Sequence, residues 1–121
     1  MKVLIAEDDA VSRLTLRRAV EQFGHEVLVA TDGTDAWELY RRDEIDVIVS
    51  DWLMPGMKGD EFLIEAHKRF PSVVKIMLSG QAETAAVDRA RKEAALHDFL
   101  AKPWNAAELV ESINLGLKDK L

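Results

Sequence analysis

The sequence contains no cysteine, and that absence removes disulfide scaffolds, zinc ribbons and thiol catalysis together. It also has no long apolar run at its start. Val3-Leu4-Ile5-Ala6 is followed at once by Glu7-Asp8-Asp9, too short a run for a signal-peptide core and far too short to span a bilayer. A cytoplasmic location without membrane contact is the resulting expectation. Basic residues are outnumbered, 16 against 22 acidic, for a formal net charge of −6. That deficit argues against direct binding of nucleic acid or an anionic membrane surface. Proline and glycine are few: all three prolines and five of the six glycines fall between periodic segments. No linker-like or repeated stretch interrupts the chain.

What is present is an ordinary globular balance, 48% apolar and 31% charged over 121 residues. A chain of this size buries roughly two-thirds of its unfolded surface, enough to fold without a covalent or metal staple. One domain is expected over residues 1–121.

Two periodicities alternate. Short apolar, β-branched runs at Lys2–Ala6, Glu26–Ala30, Asp46–Ser50, Val74–Ser79 and His97–Ala101 predict strands. Longer stretches between them carry helical spacing. Leu16, Ala19, Val20 and Phe23 form one stripe before Gly24, and Phe62, Leu63, Ala66 and Phe70 another before Pro71. Ala36 and Tyr40 anchor a shorter helix after Asp32-Gly33, and Ala106, Leu109, Val110, Ile113 and Leu117 share a face in the last. Asn105 and Glu108 read as that helix's N-cap and its partner. Five strands alternating with five helices predict an α/β protein with a parallel sheet covered on both faces. The fourth helix, near Glu83–Lys92, has only Ala85, Ala86, Val87 and Ala90 to bury. At about 25 cal/mol per Å² of apolar surface it is held weakly, either as an element able to shift or as a short stable helix with a small-residue face.

In open parallel sheets ligands sit outside the carboxyl ends of the strands. Strand one delivers Glu7-Asp8-Asp9 there, strand three Asp51, strand four Ser79-Gly80 and strand five Lys102-Pro103. Strand two ends in ordinary turn residues, Thr31-Asp32-Gly33. Carboxylates sharing a crevice repel one another and favour a cation. Oxygen ligands alone, with His25, His67 and His97 scattered, suit Mg²⁺. A carboxylate beside Mg²⁺ is a competent nucleophile toward phosphorus, and an ammonium and a hydroxyl suit the transferred oxygens. Taken singly, an Asp-Asp pair is more often a helix N-cap beside a solvated neighbour. Asp51, Ser79 and Lys102 would singly be turn, cap and solvated residues, and Trp52 and Phe99 packing aromatics. Their joint placement at four strand ends is what points to phosphoryl chemistry.

These residues bring a family into view. Glu7-Asp8-Asp9, Asp51-Trp52-Leu53-Met54-Pro55-Gly56-Met57-Lys58-Gly59, Ser79-Gly80 and Phe99-Leu100-Ala101-Lys102-Pro103 occur in order, and the chain resembles the receiver domain of two-component response regulators over its whole length. The resemblance implies a flavodoxin-like, doubly wound (βα)₅ fold with strand order 2-1-3-4-5. It implies Asp51 as phosphoacceptor, supplied by a phosphohistidine of a sensor kinase or phosphotransfer protein. Asp8, Asp9, Asp51 and the carbonyl of Leu53 would hold Mg²⁺. Lys102 would pair with the phosphoryl oxygens, and Pro103 would follow a cis bond. Ser79 would be the switch hydroxyl and Phe99 the aromatic that follows it, altering the face of helix four, strand five and helix five. That face would control a partner, an output domain or a homodimer. Leu53 and Gln81 occupy positions that tune phosphoryl lifetime in the family. Trp104 places the chain with a Lys-Pro-Trp subset and is expected beside the signalling face.

The expected product is a switch, not a turnover enzyme. A receiver-like interaction domain that no longer takes phosphate is the alternative, and the intact set Asp8, Asp9, Asp51, Ser79 and Lys102 speaks against it. A flavin carrier would not place Glu7-Asp8-Asp9 where a phosphate binds. An aspartyl phosphatase would want an acid where Leu53 stands, and a cap domain. The chain stops just past helix five, as either a stand-alone regulator or a receiver cut from a longer one would.

Overall fold

The structure, a computed structural model, describes residues 1–42, 44–51, 58–79, 84–101 and 105–120, with side chains at all of these except 59, 79, 84, 86, 101, 106, 119 and 120. Strands β1 (Lys2–Ala6), β2 (Glu26–Ala30), β3 (Val47–Asp51), β4 (Val74–Ser79) and β5 (Asp98–Ala101) alternate with α1 (Ala10–Glu21), α2 (Gly33–Arg42), α3 (Gly59–Arg69), α4 (Thr84–Glu93) and α5 (Ala106–Lys120). All strand pairs are parallel, in the order β2-β1-β3-β4-β5. The expected α/β architecture and strand order are both present.

Strand parity divides the core into two layers. Leu4, Ile48 and Met77 join Ala36, Tyr40, Phe62, Leu63, Ala66 and Ala90 beneath α2, α3 and α4. Their neighbours Val3, Ile5, Val47, Val49, Ile76 and Leu78 point the other way, against Leu16, Val20, Leu109 and Ile113 of α1 and α5. Alternate side chains of a strand face opposite sides of the sheet, so continuous apolar runs are what a sheet covered on both sides requires. Each fully buried Leu or Ile contributes about 1.5–3 kcal/mol.

Helix ends follow local chemistry. Asp32 Oδ1 accepts the Asp35 amide at 2.7 Å, and Asn105 Oδ1 accepts the Glu108 amide at 2.8 Å, satisfying donors that the first turn leaves open. Gly24, at φ +85°, supplies the left-handed residue that turns the chain after α1 toward β2. Two expected stripe residues leave the core. Phe23 is 59% and Phe70 51% exposed. α1 ends at Glu21, so Phe23 lies in the turn beyond it. Phe70 is the C-cap of α3 at φ −137°, ψ 87°, off the helical phase; its ring meets Tyr40 edge-on at 6.0 Å.

In α4, Val87 and Ala90 are buried as expected, joined by Ala94 just beyond the helix, whereas Ala85 is exposed. Arg89 on the outer face reaches the buried Asp60 of α3 at 3.5 Å and Glu93 at 2.8 Å. α5, by contrast, lies close on the sheet. A β-carbon at Gly116 would stand 2.5 Å from Val74 Cγ1 and 3.1 Å from the His97 ring, so only glycine permits that approach.

Candidate functional site

The chain runs from β1 outward to β2, then back past β1 to β3. This reversal places the topological switch point between β1 and β3, where open α/β sheets bind ligands. Ala6 is paired with Ser50, so the next residues on the two central strands are Glu7 and Asp51. The Glu7 amide donates to Ala30 O at 3.1 Å, carrying the ladder one residue past β1 and fixing where its side chain begins. Glu7 is 1% and Asp51 7% exposed, while Asp8 is exposed at the rim.

One carboxylate oxygen from each of Glu7, Asp8 and Asp51 lies within 4.8 Å of the others. Among the described residues this is the one group of three or more potential metal-ligating side chains. Two unit charges 4 Å apart repel by about 4 kcal/mol at an effective dielectric near 20, so the cluster favours a divalent cation. The donors are hard oxygens only, and one of the three is open to solvent, which fits an ion that keeps part of its water shell such as Mg²⁺.

Asp9, expected as a metal ligand beside Asp8, stands outside this group. It is the N-cap of α1, with φ −77° and ψ 122°, and its Oδ2 accepts the Ser12 amide at 2.8 Å. Its own amide donates to Glu7 Oε1 at 3.2 Å. The acid at the switch point that sequence reasoning passed over is Glu7. The signal was available: an Asp directly before the helical Ala10-Val11-Ser12 reads as a cap, which shifts the pair back by one.

The other expected residues divide between described and undescribed positions. The Ser79 backbone pairs with Ala101 at the ends of β4 and β5; its side chain lies outside the described residues, as do Trp52, Leu53, Gln81, Lys102, Pro103 and Trp104. Phe99 is half-buried on β5 and packs on the layer beneath α2, α3 and α4 that also holds Val87 and Ala90. Its amide donates to Asp98 Oδ1 at 2.8 Å, and Asp98 Oδ2 accepts Ser112 Oγ of α5 at 2.7 Å. β5 is thereby tied to α5 by the Ser112–Asp98 bond, while Phe99 faces the α4 side.

Comparison with known proteins agrees with this arrangement. The family described as response regulator receiver domain matches residues 3–114. The chain is 34% identical to the chemotaxis protein CheY of Thermotoga maritima, covering 93% of this chain and 94% of that protein. It is 32% identical to the hydrogenase transcriptional regulatory protein HoxA of Cupriavidus necator, covering 96% of this chain and 24% of that one. The chain thus spans about a quarter of the HoxA regulators and most of the CheY proteins it matches. Among solved structures, a response regulator receiver domain protein from Clostridium thermocellum superimposes with a TM-score of 0.91 at 29% identity, covering 98% of this chain and 95% of that one. Receivers are signalling phosphoacceptors that bind Mg²⁺ at an acidic pocket and take phosphoryl groups from histidine kinases. No helix among the described residues is long and apolar enough to cross a membrane. With the strand order, the acidic crevice at the β1–β3 switch point and the matched segment in agreement, the chain belongs to the response regulator receiver family.

Proposed function

We propose that residues 1–121 form one cytoplasmic receiver domain in which Asp51 accepts a phosphoryl group from a phosphohistidine of a sensor kinase or phosphotransfer protein. The observation that carries this reading is the convergence of Glu7, Asp8 and Asp51 on one crevice, their oxygens within 4.8 Å. In this reading Glu7, Asp8, Asp51 and the Leu53 carbonyl hold Mg²⁺, and Asp9 serves the helix. When bound, Mg²⁺ offsets the carboxylate charge and draws off the charge of the transferred oxygens. An Asp51 carboxylate oxygen attacks phosphorus; the P–O bond forms as the P–N bond breaks, and the imidazole leaves carrying a proton. Lys102 pairs with the phosphoryl oxygens, and Ser79 donates its hydroxyl to one of them. Phe99 then repacks on its α4-facing layer, and the α4-β5-α5 face changes its affinity for a partner, an output domain or a second copy.

Acetyl phosphate with Mg²⁺ tests the reading by intact mass. The parent gains one phosphoryl group, Asp51→Asn gains none, and Glu7→Gln needs more Mg²⁺ for the same extent of labelling. Asp9→Asn, which keeps a capping oxygen, is labelled like the parent. Labelling that survives in Asp51→Asn, or is absent from the parent, would sink the proposal.

A further inference from the structure

Beyond the acids themselves, the turn that presents them is held by a side chain that the phosphoryl chemistry does not use. Arg13, in the second turn of α1, donates from Nη1 to Glu7 O at 3.1 Å and to Asp8 O at 3.3 Å. One guanidinium nitrogen thus bridges the carbonyls of the two residues whose carboxylates meet Asp51. Other bonds of the turn include the Glu7 amide to Ala30 O of the neighbouring strand, and the local bonds from the Asp9 amide to Glu7 Oε1 and from the Ser12 amide to Asp9 Oδ2.

Arg13 is out of place by helix rules. A cation near a helix N-terminus opposes the macrodipole, and no first-turn acid of α1 accompanies it, the N-cap carboxylate of Asp9 standing just before the helix. A local rule broken beside a functional site implies a compensating use. Here the use is visible: the guanidinium sits on the carbonyl side of the Glu7–Asp8 segment, and charged donors make hydrogen bonds roughly twice as strong as neutral ones.

We propose that Arg13 is a positioning residue, which fixes the Glu7–Asp8 backbone so that both carboxylates converge on Asp51 and so raises the affinity of the crevice for Mg²⁺. This rests on the metal-binding role proposed above. Partners one shell away from a metal typically change its affinity 10–100-fold when removed.

The test compares the parent with Arg13→Met, which keeps the length and removes the donors, and Arg13→Lys, which keeps a charge and a donor. Mg²⁺ alone is titrated by calorimetry, and amide exchange at Glu7–Asp9 is followed in metal-free protein. Arg13→Met is expected to weaken Mg²⁺ binding about tenfold and to speed exchange of the Asp9 amide, with Arg13→Lys in between. Phosphorylation at saturating Mg²⁺ should stay near the parent level, because Arg13 touches no reacting atom. Arg13→Met with Mg²⁺ affinity within about twofold of the parent, a difference under half a kcal/mol, overturns the inference and leaves the phosphoacceptor reading standing. A parent that binds no Mg²⁺ removes both.

Discussion

At the scale of single residues, Tyr40 shows how one side chain serves packing and polarity together. It is 1% exposed, stacks on Trp37 at 5.9 Å and meets Phe62 edge-on at 6.1 Å. Its hydroxyl donates to Ala66 O at 3.1 Å, a carbonyl that also accepts the Phe70 amide at 2.9 Å. Burial pushes the phenol up from 10.0 to about 12, with Arg69 pulling weakly the other way. Between those values the unfolded chain releases a proton that the native state keeps, so stability falls as pH rises from 10.0 to about 12. Tyr40→Phe should cost about 1 kcal/mol or less near neutral pH, since Ala66 O stays satisfied. It should also lose that alkaline slope; denaturant melts of both proteins across the window check it, and an unchanged slope would refute the assignment. The same scale explains what could be read of the site beforehand. That Asp8 and Asp51 meet at one edge of the sheet was legible because strand ends follow from periodicity, while the strand order that makes β1 and β3 neighbours came from the family resemblance. Asp9 was assigned to the cation although its capping signal was present, because a carboxylate serves a helix N-cap and a hard cation with the same oxygens. Composition cannot say which; only the first helical residue, Ala10, decides it.

At the scale of elements, the end of α4 carries a small strain. The Leu96 amide donates to Ala90 O at 3.3 Å and the Ala94 amide to the same carbonyl at 2.9 Å, closing the helix through Ala95 at φ +51°. That is the left-handed position where glycine is the usual residue, and any other L-residue there costs roughly 1–2 kcal/mol. Glycine in the unfolded chain recovers part of that difference. Ala95→Gly should therefore stabilise the fold by about 0.5–1 kcal/mol, visible as a raised urea midpoint at constant m-value; a lowered midpoint would contradict the assignment. The five strands and the fourth helix were legible to within one residue, and the other four helices by their apolar stripes, because core strands and amphipathic helices have different periods. Phe23 and Phe70 were misplaced for one reason. A stripe counted at helical spacing runs on past the residue where the backbone leaves the helix, and the exits at Gly24 and Phe70 are set by φ, not by hydrophobicity.

Across the whole molecule the two helical layers are fastened differently. α5 is seated by Leu109, Ile113 and Leu117, by the glycine approach to Val74, and by the Ser112–Asp98 bond. α4 buries Val87 and Ala90 and is held at its outer face by Arg89 to Asp60. Arg89 is half-exposed, so water screens that attraction, whereas Asp60 at 6% exposure keeps a carboxylate that needs its partner. Backbone amides of α4 should exchange faster than those of α5 in the unphosphorylated protein. Arg89→Ala should speed α4 further and leave α5 unchanged, and Asp60→Leu should reverse much of that effect, because it removes the stranded charge. Equal acceleration in both helices would show that the pair supports the fold at large and not α4 in particular.

The notch at Gly116 has one more consequence. With no side chain at position 116, α5 comes against Val74 of β4 there, while Leu109, Ile113 and Leu117 pack on the same sheet face. Asp98 extends that attachment to β5, the strand that carries Phe99. In the proposed switch, the sheet with α5 would be the stator and α4, fastened by fewer large side chains, the rotor, with Phe99 at the seam. A probe on α5 serves as the fixed reference against which any movement of α4 is measured.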